Sequence, residues 1–280
     1  MTAPLIAVAL HEANKRLSEA GIEGASRDSR LLMAHALGVP ADRMTLLQRE
    51  QLTEKQYSVF LSLLADRVVR KPISHLIGVR QFYGREFTVS ADVLDPRPET
   101  ETLVELALQQ PFDRVLDVGV GSGVILVTLL AERPRANGVG TDISEKAVLI
   151  AGKNAERHGV SDRITLPIST WFDDVGSRYD LIVSNPPYIA VGEMPVLQPE
   201  VRDHEPREAL TDEADGLTAY RIIAERAPNH LRPGGRLLVE IGHTQGGVVK
   251  NLFENAGLQD VRVHKDLDGR DRVVFARAKN

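Results

Sequence analysis

The chain has 280 residues, of which 42% are hydrophobic and 26% charged, and its net charge is −5. This composition is typical of a folded globular protein rather than a disordered or fibrous one. The chain contains no cysteine. Disulfides, zinc–thiolate sites, iron–sulfur clusters and thiol nucleophiles are therefore excluded, and we predict no metal site.

The charge is divided unevenly along the chain. Residues 1–90 hold 12 Lys and Arg against 9 Asp and Glu, whereas the remainder holds 22 against 30. A surface for duplex DNA usually carries a basic face, so we expect no direct nucleic-acid substrate.

No apolar run approaches the roughly 18 residues of a membrane span, and residues 1–10 lack the features of a signal peptide. We therefore expect a cytoplasmic protein with no membrane contact.

Residues 5–70 have the three-and-four spacing of apolar side chains that predicts amphipathic helices. The first two helices end at Gly21 and Gly38, since glycine favours the left-handed conformation that ends a helix. A capping-box pattern begins the third helix at Thr53. We predict a small helical domain over residues 1–72.

Residues 82–89 are aromatic and β-branched around Gly84, a pattern that predicts a β-hairpin. Residues 73–94 are accordingly predicted to link two domains. The segment 95–101 then leads into an amphipathic helix, and its simplest interpretation is a proline-started helix with acidic residues in the first turn.

From residue 111 onward, strand-like and helix-like segments alternate at the spacing of βαβ units. Strands are predicted at 114–118, 137–141, 163–167, 179–183, 235–241, 259–264 and 271–276. Helices are predicted near 122–132, 144–158, 216–230 and 244–256. This alternation predicts an α/β domain over residues 95–280, with a Rossmann-like, doubly wound, mostly parallel sheet. Such sheets bind ligands beyond the carboxyl ends of their strands.

A glycine-rich turn follows the first predicted strand, with the sequence Asp117-Val118-Gly119-Val120-Gly121-Ser122-Gly123. Its glycines allow a tight turn and a close approach of a ligand to the backbone. The turn lacks the Lys-Ser/Thr pair of a phosphate-binding loop. The Asp117 carboxylate would oppose a pyrophosphate but suits an amino-bearing or cationic ligand. The alternative is a purely structural turn.

Two further residues fall where a nucleotide-like cofactor would lie. Asp142 ends the second predicted strand, roughly 20 residues after the glycine turn, where an acid can accept hydrogen bonds from ribose hydroxyls. It could equally cap the helix that starts near Ser144. Trp171 is the only tryptophan, and it could flank an adenine ring or pack in the core. Together with the acidic turn, these residues favour S-adenosylmethionine, which carries adenosine, a sulfonium and an amino group.

The sequence Asn185-Pro186-Pro187-Tyr188 follows the fourth predicted strand. Two prolines make the chain leave the sheet stiffly, which exposes the Pro186 carbonyl beside the side-chain oxygen of Asn185. Two adjacent acceptors suit an NH₂ group, and Tyr188 can lie against a planar group held there. A proline-rich turn capped by asparagine is the alternative.

Taken together, Asp-x-Gly-x-Gly-Ser-Gly, Asp142 and Asn-Pro-Pro-Tyr resemble class I S-adenosylmethionine-dependent amino methyltransferases. Further segments from about residue 72 to the C-terminus resemble one branch, the HemK/PrmC family, in which a helical N-terminal domain is also expected. Those segments are Gln81-Phe82-Tyr83-Gly84, Pro96-Arg97-Pro98-Glu99-Thr100-Glu101, Pro199-Glu200-Val201, Glu205-Pro206-Arg207, Asp215-Gly216-Leu217, Pro233-Gly234-Gly235 and Glu240-Ile241-Gly242. Three positions depart from the family pattern: Asp95 replaces an apolar residue, Val120 a threonine and Thr170 an acid.

The resemblance implies an enzyme that methylates the side-chain nitrogen (N5) of the glutamine in the Gly-Gly-Gln motif of peptide-chain release factors. It implies that Asn185, Pro186 and Tyr188 are catalytic, and that these three with Pro187 bind substrate. The residues implied to bind cofactor are Asp117, Gly119, Val120, Gly121, Ser122, Gly123, Asp142, Trp171 and Asn185. Glu99, Thr100 and Glu101 would shape a lid over the cofactor.

The resemblance also implies that the helical domain docks the release factor, and we expect a monomer. Three alternatives remain open at this stage. The chain could methylate glutamine on a ribosomal protein, it could methylate adenine N6 in DNA through a flipped base, or it could bind the cofactor without catalysis.

Overall fold

A computed structural model describes residues 3–280 and divides the chain into two compact units. The helical unit comprises the chain up to Val79 together with Gln198–His204, and the sheet unit comprises Arg80–Leu197 and Glu205–Asn280. The placement of Gln198–His204 in the helical unit was not predicted. The domain limits at residues 72 and 94 remain predictions.

The helical unit contains the three predicted helices and three shorter ones. The helices are α1 (Ile6–Glu19), α2 (Ala25–Leu37), α3 (Met44–Leu47), α4 (Glu54–Val68), α5 (Ile73–Ile77) and α9 (Pro199–His204). Gly38 ends α2 in the left-handed conformation, with φ 68°. The Thr53 hydroxyl accepts a hydrogen bond from the Gln56 backbone N–H, which completes the predicted capping box of α4.

A buried ion network holds α9 inside the helical unit. The Arg67 guanidinium lies 2.9 Å from the Asp28 carboxylate and 3.1 Å from that of Glu200. Arg70 lies 2.8 Å from the second Glu200 oxygen. Because Asp28 is fully buried, loss of Arg67 would leave its carboxylate with the exposed Arg27 guanidinium, 3.2 Å away, as its ionic partner.

The predicted hairpin is confirmed. Strands β1 (Val79–Phe82) and β2 (Arg85–Thr88) are joined at Tyr83 and Gly84, whose φ angles are 49° and 69°. Positive φ at both central residues gives the turn a twist that matches the two strands.

A seven-stranded sheet forms the centre of the sheet unit, in the order β5-β4-β3-β6-β7-β9-β8. The strands are β3 (Arg114–Val118), β4 (Asn137–Thr141), β5 (Ile164–Thr165), β6 (Tyr179–Ser184), β7 (Leu231–Glu240), β8 (Gln259–Lys265) and β9 (Asp271–Arg277). Pairing is parallel from β5 to β7, while β9 is antiparallel to both β7 and β8. The predicted Rossmann-like, mostly parallel sheet is therefore confirmed, although the third predicted strand shortens to two residues.

The order of the strands defines where a ligand can bind. From β3 the chain runs outward to β4 and β5 on one side, then returns to β6 and continues to β7 on the other. The switch point of the sheet therefore lies between β3 and β6, and ligands bind beyond the carboxyl ends at such a point. The glycine turn follows β3, and Asn185 follows β6.

Helices cover the sheet through two apolar clusters, one built around Val115, Leu126 and Leu181 and the other around Leu116, Phe253 and Tyr220. The sheet unit contains the helices α6 (Glu101–Leu108), α7 (Val124–Glu132), α8 (Glu145–Arg157), α10 (Arg207–Leu210), α11 (Thr218–His230) and α12 (Gly246–Asn255), and all of these except α10 contribute to the clusters. Each large apolar side chain buried there contributes about 1.5–3 kcal/mol, which fixes the strand ends firmly. None of the helices within residues 3–280 is long and apolar enough to cross a membrane.

Candidate active site at the carboxyl ends of the strands

An open cavity with an empty volume of about 1110 Å³, including the space at its mouth, lies in the sheet unit beyond β3, β4 and β6. Eight predicted site residues line it: Gly119, Val120, Gly121, Ser122, Asp142, Trp171, Asn185 and Pro187. Four others, Asp117, Gly123, Pro186 and Tyr188, are not part of its wall. The sequence motifs thus converge on one cavity, and the glycine-turn and Asn-Pro-Pro-Tyr motifs each contribute only some of their residues to its wall.

The glycine turn is tied to the end of β4. The backbone N–H groups of Gly119 and Val120 both donate to the Thr141 carbonyl at 2.9 Å. Gly119 and Gly121 have φ angles of 80° and 53°, which only glycine adopts readily. The turn is therefore a closed and rigid element, with the donors of its first residues already used.

Gly123 ends this turn at a close approach to α8. A Cβ atom there would lie 3.1 Å from the Cβ atom of Ala151 in α8, closer than most such contacts. With φ 82° as well, the position requires glycine so that the start of α7 can lie against α8.

Asp142 connects the turn with the next helix. Its two carboxylate oxygens accept hydrogen bonds from the backbone N–H groups of Gly121 and Ser144, both at 2.9 Å. The Ser144 hydroxyl, and not Asp142, caps α8 by accepting from the Ala147 N–H at 3.3 Å. Burial raises the pKa of Asp142, and these backbone hydrogen bonds oppose that rise. Each oxygen retains a further lone pair, so Asp142 can still accept a ligand hydroxyl.

Asp117 precedes the turn at the end of β3 and is fully buried. Neither of its carboxylate oxygens has a hydrogen-bond partner. Burial raises the pKa of Asp117 well above its ordinary value. The Leu126 backbone N–H opposes this rise, and the nearby Asp142 charge adds to it. An unpaired buried carboxyl is costly, and a cationic or amino-bearing ligand would offset that cost.

Trp171 reaches the cavity because its backbone is held on both sides. Its carbonyl accepts from the Thr141 hydroxyl at 2.9 Å, and the Ser169 N–H donates to the Asp142 carbonyl at 2.8 Å. The following residue, Phe172, enters the core. Trp171 is half-buried and Thr170 is exposed, and both line the cavity.

Asn185 carries the unsatisfied acceptor of the site. Its Oδ1 atom is buried and has no hydrogen-bond partner, whereas its Nδ2 group donates to the Thr100 hydroxyl at 3.4 Å. Buried polar atoms are nearly always paired in folded proteins, so an orphan oxygen at a cavity wall indicates a place for a ligand donor.

The backbone at Tyr188, the last residue of the Asn-Pro-Pro-Tyr segment, is held by the Gln245 side chain. Its carbonyl accepts from the Gln245 side-chain NH₂ at 2.9 Å. A Cβ atom at Gly216 would lie 2.3 Å from the same carbonyl oxygen, so only glycine fits there. Burial raises the pKa of Tyr188 to about 12, and its phenol is therefore neutral near pH 7.

Several cavity residues were not predicted from the sequence. Val93 and Leu94 line the cavity although they fall in the predicted linker. Arg97 also lines it and donates to both Glu205 oxygens, at 2.7 and 2.9 Å. Burial raises the pKa of Glu205 to about 7. Arg97 and Glu205 both lie in segments that resembled the family, and this was the only signal available for them.

A parallel sheet of this order, with a ligand cavity at its switch point and these motifs around it, defines a class I methyltransferase. Residues 8–78 match the model of the PrmC N-terminal domain, and residues 85–198 match that of the Methyltransferase small domain. The chain is 54% identical over 269 residues to the Release factor glutamine methyltransferase of Cereibacter sphaeroides, covering 96% of this chain and 97% of that protein.

A protein of the same name from Caulobacter vibrioides is 42% identical, with coverage of 94% and 93%. A solved methyltransferase structure from Pyrococcus furiosus superposes with a TM-score of 0.55 at 17% identity. It covers 71% of this chain and 91% of the other, and the similarity concerns the fold alone. The chain belongs to the release factor glutamine methyltransferase family.

Proposed function

We propose that this enzyme transfers a methyl group from S-adenosylmethionine to the side-chain amide nitrogen (N5) of the glutamine in the Gly-Gly-Gln motif of peptide-chain release factors. The observation that carries the proposal is the buried, unpartnered Asn185 Oδ1 at the cavity. In a chain of this family, that acceptor matches the NH₂ group of a glutamine side chain.

The cavity fits S-adenosylmethionine in its donor and acceptor chemistry. Asp142 has lone pairs for ribose hydroxyls, and the unpaired Asp117 carboxyl suits the amino group or the sulfonium charge. The turn of Gly119, Val120, Gly121, Ser122 and Gly123 would enclose the cofactor, and Trp171 would flank its adenine. Thr170 supplies a hydroxyl where relatives of the resembled family carry an acid, so any contact with the adenine amino group would be neutral.

Asn185 and Pro186 would orient the glutamine nitrogen. An amide nitrogen is a poor nucleophile because its lone pair is delocalised into the carbonyl. The Asn185 side-chain oxygen and the Pro186 carbonyl would each accept one of its N–H bonds, which aims the nitrogen and favours the positive charge that develops on it. When bound here, S-adenosylmethionine would supply the methyl group, with its carbon–sulfur bond broken and S-adenosylhomocysteine as the leaving group. The nitrogen then releases one proton to solvent, and no strong base is needed beforehand.

Pro187 and Tyr188 would complete the substrate slot. Pro187 forms part of the cavity wall. Tyr188 would lie against the amide plane, and its neutral phenol would place no charge beside the developing cation. Because two prolines lock the backbone and Gln245 holds the Tyr188 carbonyl, the acceptors keep their positions as substrate enters.

The partner is a release factor whose glycine-flanked glutamine can enter the cavity as a protruding tip. A three-residue loop offers too little area for a specific interface, so the helical domain would dock a second face of the substrate. We infer that the enzyme acts as a monomer in the cytoplasm, where translation takes place.

Mass spectrometry of a purified release factor, incubated with the enzyme and S-adenosylmethionine, tests the proposal directly. The expected product is one methyl group on the glutamine of Gly-Gly-Gln. A short Gly-Gly-Gln peptide should be a poor substrate, and the Asn185→Ala enzyme serves as the negative control. Methylation of duplex DNA or of a ribosomal protein, with the release factor left unmodified, would overturn the substrate assignment.

A further inference from the structure

Thr100 occupies the position just before α6, where a threonine hydroxyl commonly caps the helix. Its side chain makes no such cap, and the residue is only 2% exposed. The hydroxyl instead accepts from the Asn185 Nδ2 group at 3.4 Å, the long end of hydrogen-bonding distance. The buried carboxyl of Glu240 also neighbours this side chain, and interaction with the Thr100 hydroxyl lowers the pKa of Glu240. The hydroxyl is therefore used inside the site rather than by the helix.

Glu240 reaches this position from the last residue of β7, the strand beside β6. Ser184 and Val239 are paired across these strands, so the next residues, Asn185 and Glu240, follow side by side at the ends of the two strands. The Glu240 side chain is buried, and its Oε2 atom has no hydrogen-bond partner. Three elements distant in sequence thus bring an amide, a hydroxyl and a carboxyl together.

Hydrogen-bond directions in this cluster are determined by its carboxylate. Ionised Glu240 can only accept, so a Thr100 hydroxyl that pairs with it directs its single proton to the carboxylate. The Thr100 oxygen can then only accept from Asn185, and it selects the Nδ2 end of the amide. The Oδ1 end is left facing away from Thr100, which agrees with its lack of a partner.

We propose that Thr100 and Glu240 are positioning residues that hold the Asn185 amide with its oxygen, rather than its NH₂ group, directed to the substrate nitrogen. This inference rests on the proposed function and adds a cause for the orientation that the function requires. A flipped amide would present a donor to the glutamine NH₂ group, where two donors would oppose each other.

The charge state of Glu240 controls this arrangement. Burial raises the pKa of Glu240 to about 7, Glu99 adds to the rise, and Arg272 and Arg97 oppose it. Tyr188, which also faces this carboxyl, stays neutral because its own pKa is raised. Protonated Glu240 can donate to Thr100, whose proton is then free to point at Asn185. Both amide orientations become possible, so turnover should decline as pH falls through the Glu240 pKa.

A double-mutant cycle tests the orientation through catalysis. Thr100→Val removes the hydroxyl at constant size and should lower the rate of release-factor methylation about tenfold, the scale of one lost hydrogen bond. Thr100→Ser should restore most of the rate. In the Asn185→Ala background, Thr100→Val should add less than about a twofold loss, because the group it positions is gone. A full tenfold loss in both backgrounds would overturn the proposal.

Thr128→Val is the matched control for this cycle. Thr128 is also fully buried in the sheet unit, and its hydroxyl has no hydrogen-bond partner. The substitution makes the same chemical change away from the site, so the rate should be unchanged. If Thr128→Val lowered the methylation rate by a comparable factor, the effect of Thr100→Val would be due to packing.

An NMR measurement on the free protein decides the hydrogen-bond network without using activity. With ¹⁵N-labelled asparagine, the Asn185 side-chain signals are those that disappear in Asn185→Ala. They should shift as pH passes through about 7 in the wild-type protein, and neither Glu240→Gln nor Thr100→Val should show that shift. An identical pH response in Thr100→Val would refute the network. If the wild-type enzyme leaves the release factor unmodified, the proposed function fails, while this measurement still decides the orientation of Asn185.

Discussion

The turn after β3 and the turn after β6 follow neighbouring strands, yet their polar groups are used in opposite ways. In the first turn, the N–H groups of Gly119, Val120 and Gly121 are all paired with the end of β4. In the second, Asn185 keeps a buried oxygen without a partner. In the proposed function, the first turn is a closed scaffold that a cofactor would lie against, and the second is an open acceptor that a substrate would complete.

This difference shows where the free-energy cost of an unpaired buried atom falls in the two turns. An unpaired buried oxygen costs about 1–3 kcal/mol, and it is tolerated where a rigid surrounding structure prevents relaxation. Pro186 and Pro187 restrict the backbone on one side, and Gln245 holds the Tyr188 carbonyl on the other. The unpaired oxygen of Asn185 lies at the proposed substrate side. At the proposed cofactor side the turn N–H groups are satisfied, and the unpaired group is the Asp117 carboxyl before the turn.

The largest effect is expected at the open acceptor. Asn185→Ala should reduce turnover at least about a hundredfold, as when a positioned group that stabilises the transition state is lost. Affinity for S-adenosylmethionine should stay nearly intact, since the glycine turn is untouched. Rapid-quench kinetics and calorimetry measure the two quantities. Near-normal turnover would contradict the acceptor model and remove the difference between the two turns.

Asp142→Ala tests the closed scaffold. Cofactor affinity should fall by about 1.5–3 kcal/mol if the carboxylate accepts ribose hydroxyls. Because Asp142 also accepts from Gly121 and Ser144, thermal unfolding must be measured in parallel. Asp142→Asn is the second variant: it keeps an oxygen for one of the two backbone N–H groups, loses the charge and places an NH₂ group at the other. Unchanged calorimetric affinity in Asp142→Ala would refute the ribose assignment.

Gln245→Leu removes the support behind the open acceptor. The Tyr188 carbonyl and the Gly242 N–H would lose their partner, and stability should fall by about 1–3 kcal/mol. Turnover should fall more than cofactor affinity, because the shifted segment carries the acceptors and not the scaffold. Gln259→Leu, at an exposed position of β8, is the control. An equal loss of cofactor affinity would show that the two turns are not independent.

The smallest effect is expected in the pH dependence of stability, through Glu205, the carboxyl that pairs with Arg97. Glu205 has an ordinary pKa of 4.5, which burial raises to about 7 in the folded chain. Between these values the folded state holds more protons, so the free energy of unfolding should fall as pH rises from 4.5 to about 7. The slope is at most about 1.4 kcal/mol per pH unit for one group, and Glu240 adds a similar fall.

Glu205→Gln should make this decline shallower, as measured by urea unfolding at several pH values. Glu225→Gln, at an exposed carboxylate of α11, should leave the slope unchanged. A slope that is equal in all three proteins would show that Glu205 is ionised in the folded state, with Arg97 as a fully compensating partner.

Much of this protein follows from the sequence by itself, because the signals are local. Alternating apolar segments predicted the parallel sheet, since a buried strand must be apolar on both faces. The hairpin at Gly84 and the helix cap at Thr53 depend on neighbouring residues and were also found. Because parallel strands end on one side of a sheet, the glycine turn and Asn185 could be placed at one site before the fold was known.

Only the tertiary structure decided which side chains complete that site. Thr100 and Asn185 are 85 residues apart, and Arg97 and Glu205 are 108 apart. No local spacing encodes such contacts, because they depend on the order of strands in the sheet and on the register between β6 and β7. The sequence therefore predicted the types of group at the site, whereas long-range packing brought the Thr100 hydroxyl to the Asn185 amide and Arg97 to Glu205.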